Sequence, residues 1–126
     1  MNRVWQPTLG ALRLDQDKYQ FRVWAPNATR VDLELQTPQA RSVPMVSAKR
    51  GYFEATVEGV ASDARYTYRL DGGDPRPDPV SRYQPEGVHG PSQLVDAQFE
   101  WHDAHWSGLA LADYIIYELH VGTFTP

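Results

Sequence analysis

The sequence predicts an all-β sandwich over residues 1–92, a connecting segment at 93–113 and a lone strand at 114–126. Three observations predict it. Short runs alternate apolar and polar side chains with the period of two that a half-buried strand requires. Ten prolines and nine glycines among 126 residues favour turns over long helices. The alternation then gives way to a proline-rich stretch and finally to a continuous apolar run.

The first clear strand is residues 19–24, with Tyr19, Phe21 and Val23 on one side and Gln20, Arg22 and Trp24 on the other. Pro26 and Asn27 supply a turn, through fixed proline φ and asparagine's tolerance of turn geometry. Alternation resumes with Val31, Leu33 and Leu35, so the two runs read as consecutive antiparallel strands. Residues 52–57 turn Phe53, Ala55 and Val57 inward, and residues 65–70 do the same with Tyr66, Tyr68 and Leu70. Turns are expected at 49–51, 59–63 and 71–74, and weaker strands at 9–14 and 42–47.

Residues 74–92 contain five prolines, at 75, 77, 79, 85 and 91, and proline is excluded from central strands. A flexible linker would be rich in Gly and Ser; this stretch instead carries Arg76, Arg82, Tyr83, Gln84 and His89, which can anchor it by hydrogen bonds. It reads as an ordered loop packed against another surface, with Trp101 and Trp106 covering the sandwich edge beyond it. Residues 114–124 are the kind of run buried on both faces of a parallel sheet. Such a strand needs a crossover to its next neighbour, so the chain is expected to stop at the opening of a second, α/β domain.

A net charge of −4 without basic clusters excludes the fields that bind nucleic acid or anionic membranes. No run approaches the ~20 apolar residues of a membrane span. The absence of cysteine excludes disulfides, thiolate chemistry and thiolate zinc sites, and favours a cytoplasmic setting. Asn27-Ala28-Thr29 matches a glycosylation pattern that matters only in a secretory pathway, and is read as a turn. His102 and His105 lack an obvious third ligand, so no metal site is expected. The sixteen carboxylates are scattered, and neither a nucleophile elbow nor a phosphate-cradling glycine loop occurs. Glu118 and His120 share a side of the last strand, either near a barrel active site or as a buried supporting pair.

Flat rings stack on the apolar face of a sugar, which singles out Trp24 and, after it, Tyr52. On the outer face, Trp24 either stacks on carbohydrate or packs against a following domain.

Phe21-Arg22-Val23-Trp24-Ala25-Pro26-Asn27-Ala28 with Val31-Asp32-Leu33 resembles the sandwich modules that precede α-amylase-type barrels. Arg76-Pro77-Asp78-Pro79, Ser81-Arg82, Gln84-Pro85, Gly87-Val88-His89-Gly90-Pro91-Ser92 and Asp96 resemble the connecting segment of maltooligosyltrehalose trehalohydrolases. The run from Tyr117-Glu118-Leu119-His120 to Pro126 is similar to the first barrel strand of the same enzymes; branching enzymes carry related versions of the first and last blocks.

The resemblance implies an immunoglobulin-like (E-set) sandwich, a latch and the first strand of a truncated (β/α)8 barrel. It implies a parent that releases trehalose by α-1,4 hydrolysis, with its reacting carboxylates on later strands. No catalytic residue, metal or cofactor is therefore expected in this chain. Arg82, Gln84 and His89 are the expected barrel-docking residues, and Trp24 and Tyr52 the expected contacts for α-glucan or maltooligosyltrehalose. The competing expectations are a glucan-binding module in its own right and a branching or debranching parent. An unpaired last strand is expected to pair with the sandwich, swap between copies or form a dimer.

Overall fold

A computed structural model describes residues 7–96 and 100–124. Among the described residues, nine strands form two antiparallel sheets. The first sheet has the order β1 (Gly10–Arg13), β2 (Tyr19–Trp24), β6 (Tyr52–Val57), β5 (Val46–Ser47). The second has β4 (Arg41–Pro44), β3 (Val31–Leu35), β7 (Arg65–Leu70), with β8 (Pro75–Arg76) and β9 (Ser92–Gln93) sharing the far edge of β7.

The expected alternation holds in β2 and β6; in β3 and β7 the expected inward residues are buried, Leu70 only partly, but Asp32 and Thr67, expected outward, are buried too at 4% and 5% exposed. Tyr19, Phe21, Val23, Phe53, Ala55 and Val57 line the inner face of the first sheet, against Val31, Leu33, Leu35, Tyr66 and Tyr68 of the second. The rings of Phe21 and Tyr66 meet edge to face across the layers at 5.1 Å and 70°, an arrangement that adds about 1 kcal/mol beyond area burial.

Two expectations about pairing are corrected. β2 and β3 are consecutive but do not pair: β2 joins β1 and β6, while β3 joins β4 and β7. The Pro26 turn carries the chain from one sheet to the other, as a sandwich requires of some connections. The expected strand at 42–47 is two strands, one in each sheet, divided at Met45, which is buried between the layers. The packed layer also reaches past Ser92, since Leu94 is 5% exposed in the core.

Beyond Asp96 the expectation and the structure part company. Among the described residues, 114–120 form no strand and pair with nothing in the sandwich; one helical turn, Val121–Phe124, follows. A β-strand is defined by its ladder, and no free edge of this sandwich takes up the segment. Glu118 and His120 are exposed rather than a buried pair, and His120 Nδ1 lies 3.2 Å from the Thr123 hydroxyl. Trp101 and Trp106 do not cover the sandwich edge: they are 72% and 68% exposed. Residues 125–126 of the expected strand, and 1–6 of the expected sandwich, lie outside the described residues.

Candidate functional site

Two surfaces carry the residues singled out by sequence. The first is the outer face of the β1-β2-β6-β5 sheet, where register sets Trp24 directly opposite Tyr52 and Arg22 opposite Glu54. Trp24 is 57% exposed, yet its ring is fixed, because Nε1 donates to the Arg50 carbonyl at 3.1 Å. That carbonyl is aimed by the turn Lys49–Gly51, in which Arg50 has φ 65 and Gly51 φ 80. Only glycine fits at 51: a Cβ there would lie 2.7 Å from Pro26 Cα.

Tyr52 is less available than Trp24. The Arg22 guanidinium covers its ring at 4.4 Å from the centroid and lies, through Nε, 2.8 Å from Glu54 Oε1. The structure therefore brings Trp24 and Tyr52 together, with one open ring and a neighbouring guanidinium–carboxylate pair.

The second surface is the loop at 74–92, and its anchor is Asp78. This carboxylate is 3% exposed, and its Oδ2 accepts from the hydroxyls of Tyr66 at 2.8 Å and Tyr68 at 3.2 Å. Its own N–H donates to Ser92 Oγ at 2.9 Å, while Oδ1 accepts from the Val80 N–H at 2.9 Å. Burial, reinforced by the nearby Asp78 charge, raises both tyrosine hydroxyls well above the usual phenol range. They remain donors to the carboxylate throughout the ordinary pH range.

Of the expected docking residues, Arg82 and Gln84 turn inward on the module. Arg82 donates to the carbonyls of Ala11 at 2.9 Å and Leu9 at 3.5 Å, capping the open edge of β1. Gln84 Nε2 donates to the carbonyls of Gly87, Val88 and Gly90 at 3.4, 3.1 and 3.3 Å, closing the loop tip. Arg65 pairs with Glu86 and holds the tip to β7. On this fixed scaffold Tyr83 and Val88 stand 50% and 74% exposed, with His89 exposed between Val88 and Gly90.

Asp78 is the residue that the site reading passes over. Its signal was present: Tyr66 and Tyr68 point inward from β7, and buried phenols need acceptors.

Among the described residues no group of three His, Cys, Asp or Glu side chains is placed to hold a metal. No helix there is long and apolar enough to cross a membrane.

Comparison with known proteins agrees with this geometry. Residues 8–85 match the family described as carbohydrate-binding module 48, the isoamylase N-terminal domain. Malto-oligosyltrehalose trehalohydrolase of Saccharolobus solfataricus is 43% identical over 90% of this chain and 20% of its own length. A 1,4-alpha-glucan branching enzyme of Kitasatospora aureofaciens is 36% identical over 84% of this chain and 16% of its own. A crystal structure of a Salmonella typhimurium protein assigned as an alpha amylase superposes with a TM-score of 0.80 at 34% identity, covering 97% of this chain and 20% of that one. The chain thus spans a fifth or less of the length of these relatives. The family match covers most of the sandwich just described, and the chain belongs to the carbohydrate-binding module 48 family, in the form carried by trehalohydrolase-like glycoside hydrolases.

Proposed function

We propose that the chain is a non-catalytic module that docks on and supports a catalytic barrel, in a parent enzyme that releases trehalose from maltooligosyltrehalose in the cytoplasm. The observation that carries this reading is the loop at 74–92: it is pinned at Asp78, Arg82 and Gln84, yet presents Tyr83 and Val88 to solvent. Apolar side chains held rigidly outward mark an interface, because ordering them has already been met within the module. Arg82 and Gln84 act here as positioning residues, and Tyr83, Val88 and His89 as the contact. The likeness to trehalohydrolases supports the substrate; the more distant likeness to a branching enzyme leaves that parent as the alternative.

The test is a chimera in which this chain replaces the matching segment of the Saccharolobus solfataricus relative. The chimera is expected to release trehalose, and Tyr83→Asp with Val88→Asp is expected to lower its thermal midpoint while leaving that of the isolated module unchanged. An unchanged chimera midpoint would sink the docking role.

Trp24 favours a second reading, in which the module holds α-glucan on its own outer face. Its ring is exposed and immobilised, with Arg22 and Glu54 alongside to meet hydroxyls. Loss of maltoheptaose-induced tryptophan fluorescence change in Trp24→Ala is the outcome expected of that reading.

A further inference from the structure

β7 ends on a tight turn, Leu70-Asp71-Gly72-Gly73, closed by the Gly73 N–H on the Leu70 carbonyl at 2.9 Å. Asp71 and Gly72 sit at φ 50 and φ 73, the mirror-image turn that suits glycine and that aspartate tolerates. This is the sequence's one Asp-Gly step, and no Asn-Gly step occurs. Both residues are exposed, and nothing lies within 4 Å of where a Gly72 Cβ would be. The backbone nitrogen after an aspartate attacks the side-chain carboxyl carbon most readily when its own residue carries no side chain to shield it, and glycine alone has none. The Asp71 N–H donates to the Arg30 carbonyl at 3.0 Å and the Gly73 N–H to Leu70; the Gly72 N–H between them takes no part in these bonds.

The carboxylate, however, is held. Asp71 Oδ1 accepts from the Thr29 hydroxyl at 2.6 Å and from the Thr29 and Arg30 N–H groups at 2.9 Å each, all on the chain entering β3. These bonds favour the ionised side chain, the Thr29 hydroxyl contributing most. An ionised carboxylate has no good leaving group, whereas a protonated one can lose water. Ring closure also draws Cγ into covalent range of the Gly72 nitrogen, and each charge-assisted bond at Oδ1 resists that movement.

We propose that Asp71-Gly72 is a site of spontaneous aspartate isomerisation, and that the Thr29 hydroxyl sets its rate in the folded chain. The Gly72 nitrogen bonds to Asp71 Cγ and gives its proton to water, while the bond from Cγ to the carboxyl hydroxyl breaks and water leaves. The product is a cyclic succinimide. Water then adds to one of its two carbonyls: at Cγ it restores aspartate, and at the main-chain carbon it breaks the original peptide bond and leaves isoaspartate, with the chain running through Cβ and Cγ. One water leaves and one returns, so mass is unchanged and no oxidant or reductant is needed. The inserted methylene lengthens the turn, and the carboxylate now on Cα no longer meets Thr29, which frees the end of the ladder where Val31 faces Leu70. The proposal rests on neither barrel docking nor glucan binding.

The experiment holds the whole chain at neutral pH for several weeks, folded and in urea, beside Thr29→Val and Thr29→Ser. Isoaspartate is read from the peptide spanning residue 71 by its separation from the aspartyl form at equal mass and its resistance to cleavage before aspartate; heavy-oxygen water marks each passage through the ring. The folded chain is expected to gain isoaspartate at 71 more slowly than the chain in urea. Folded Thr29→Val gains it about fivefold faster than the folded parent, the effect of losing one hydrogen bond. Thr29→Ser keeps the parent's rate, and in urea all three chains converge. Absence of isoaspartate at 71 from the folded chain would overturn the site. Equal rates in the folded parent and Thr29→Val, or a folded rate matching that in urea, would overturn the role of Thr29.

Discussion

Asp78 shows how much of the molecule turns on single polar atoms. One oxygen satisfies two buried phenols from adjacent inward positions of β7, and the same residue starts the loop that presents Tyr83 and Val88. Removing it leaves the Tyr68 hydroxyl buried without its acceptor and Tyr66 with only its side-chain bond to Ser92, and a buried orphan costs about 1–3 kcal/mol. Asp78→Ala is therefore expected to lose about 3 kcal/mol in urea denaturation, and to increase amide exchange at residues 80–90. A loss within 0.5 kcal/mol, inside the range of ordinary surface changes, would show the phenols finding other partners. Gly51 makes the same point through the backbone. At φ 80, with Pro26 Cα 2.7 Å from where a Cβ would sit, Gly51→Ala is expected to cost more than about 1 kcal/mol. It should also loosen the Trp24 ring, because the neighbouring Arg50 carbonyl is its acceptor; a fall in Trp24 fluorescence anisotropy is the readout.

Elements were legible where one face meets the core and the other meets water. β2, β3, β6 and β7 each carry that period of two, and their inward residues could be named from sequence alone. Their partners could not, because alternation fixes which way a side chain points and says nothing about which sheet a strand joins. Hence β2 and β3 looked like neighbours although the turn at Pro26 separates them. Trp24 was legible as an outward ring for the same reason, whereas the inward turn of Arg82 depends on the carbonyls of Ala11 and Leu9, 71 and 73 residues away in the chain. The link between β7 and β3 illustrates a contact of this kind that also senses pH. Asp71, at φ 50 after β7, accepts from the Thr29 hydroxyl at 2.6 Å and from the Thr29 and Arg30 N–H groups at 2.9 Å each, tying the entry of β3. These bonds favour the carboxylate and hold its pKa below the ordinary value of 3.8, the Thr29 hydroxyl contributing most. A depressed folded pKa stabilises the fold above the unfolded value, and the gain is lost as pH falls through the folded one. Stability is accordingly expected to fall from about pH 4 downward, and Asp71→Ala to lower the midpoint at neutral pH and flatten that fall. An acid limb of the same slope in the variant would assign the loss to other carboxylates.

At the scale of the whole molecule, the core and the exposed apolar surface belong to different parts of the chain. Every buried residue among those described lies between Gly10 and Leu94, whereas Ile115, Ile116, Tyr117 and Val121 are 99%, 78%, 74% and 78% exposed. The run at 114–124 resembles a doubly buried strand because it has that composition, and composition reports what a segment can bury, not whether a neighbouring edge is there to receive it. Two consequences separate cleanly. Since no side chain beyond Trp106 contributes to the core among the described residues, deleting 107–126 is expected to leave the free energy of unfolding unchanged within about 0.5 kcal/mol. Since contiguous exposed apolar residues with unpaired backbone groups seek an edge, the chain is expected to associate with rising concentration in sedimentation velocity, and the deleted chain to stay monomeric. Association that survives the deletion would place the sticky surface on the sandwich instead, where Tyr83 and Val88 of the pinned loop are the first residues to change.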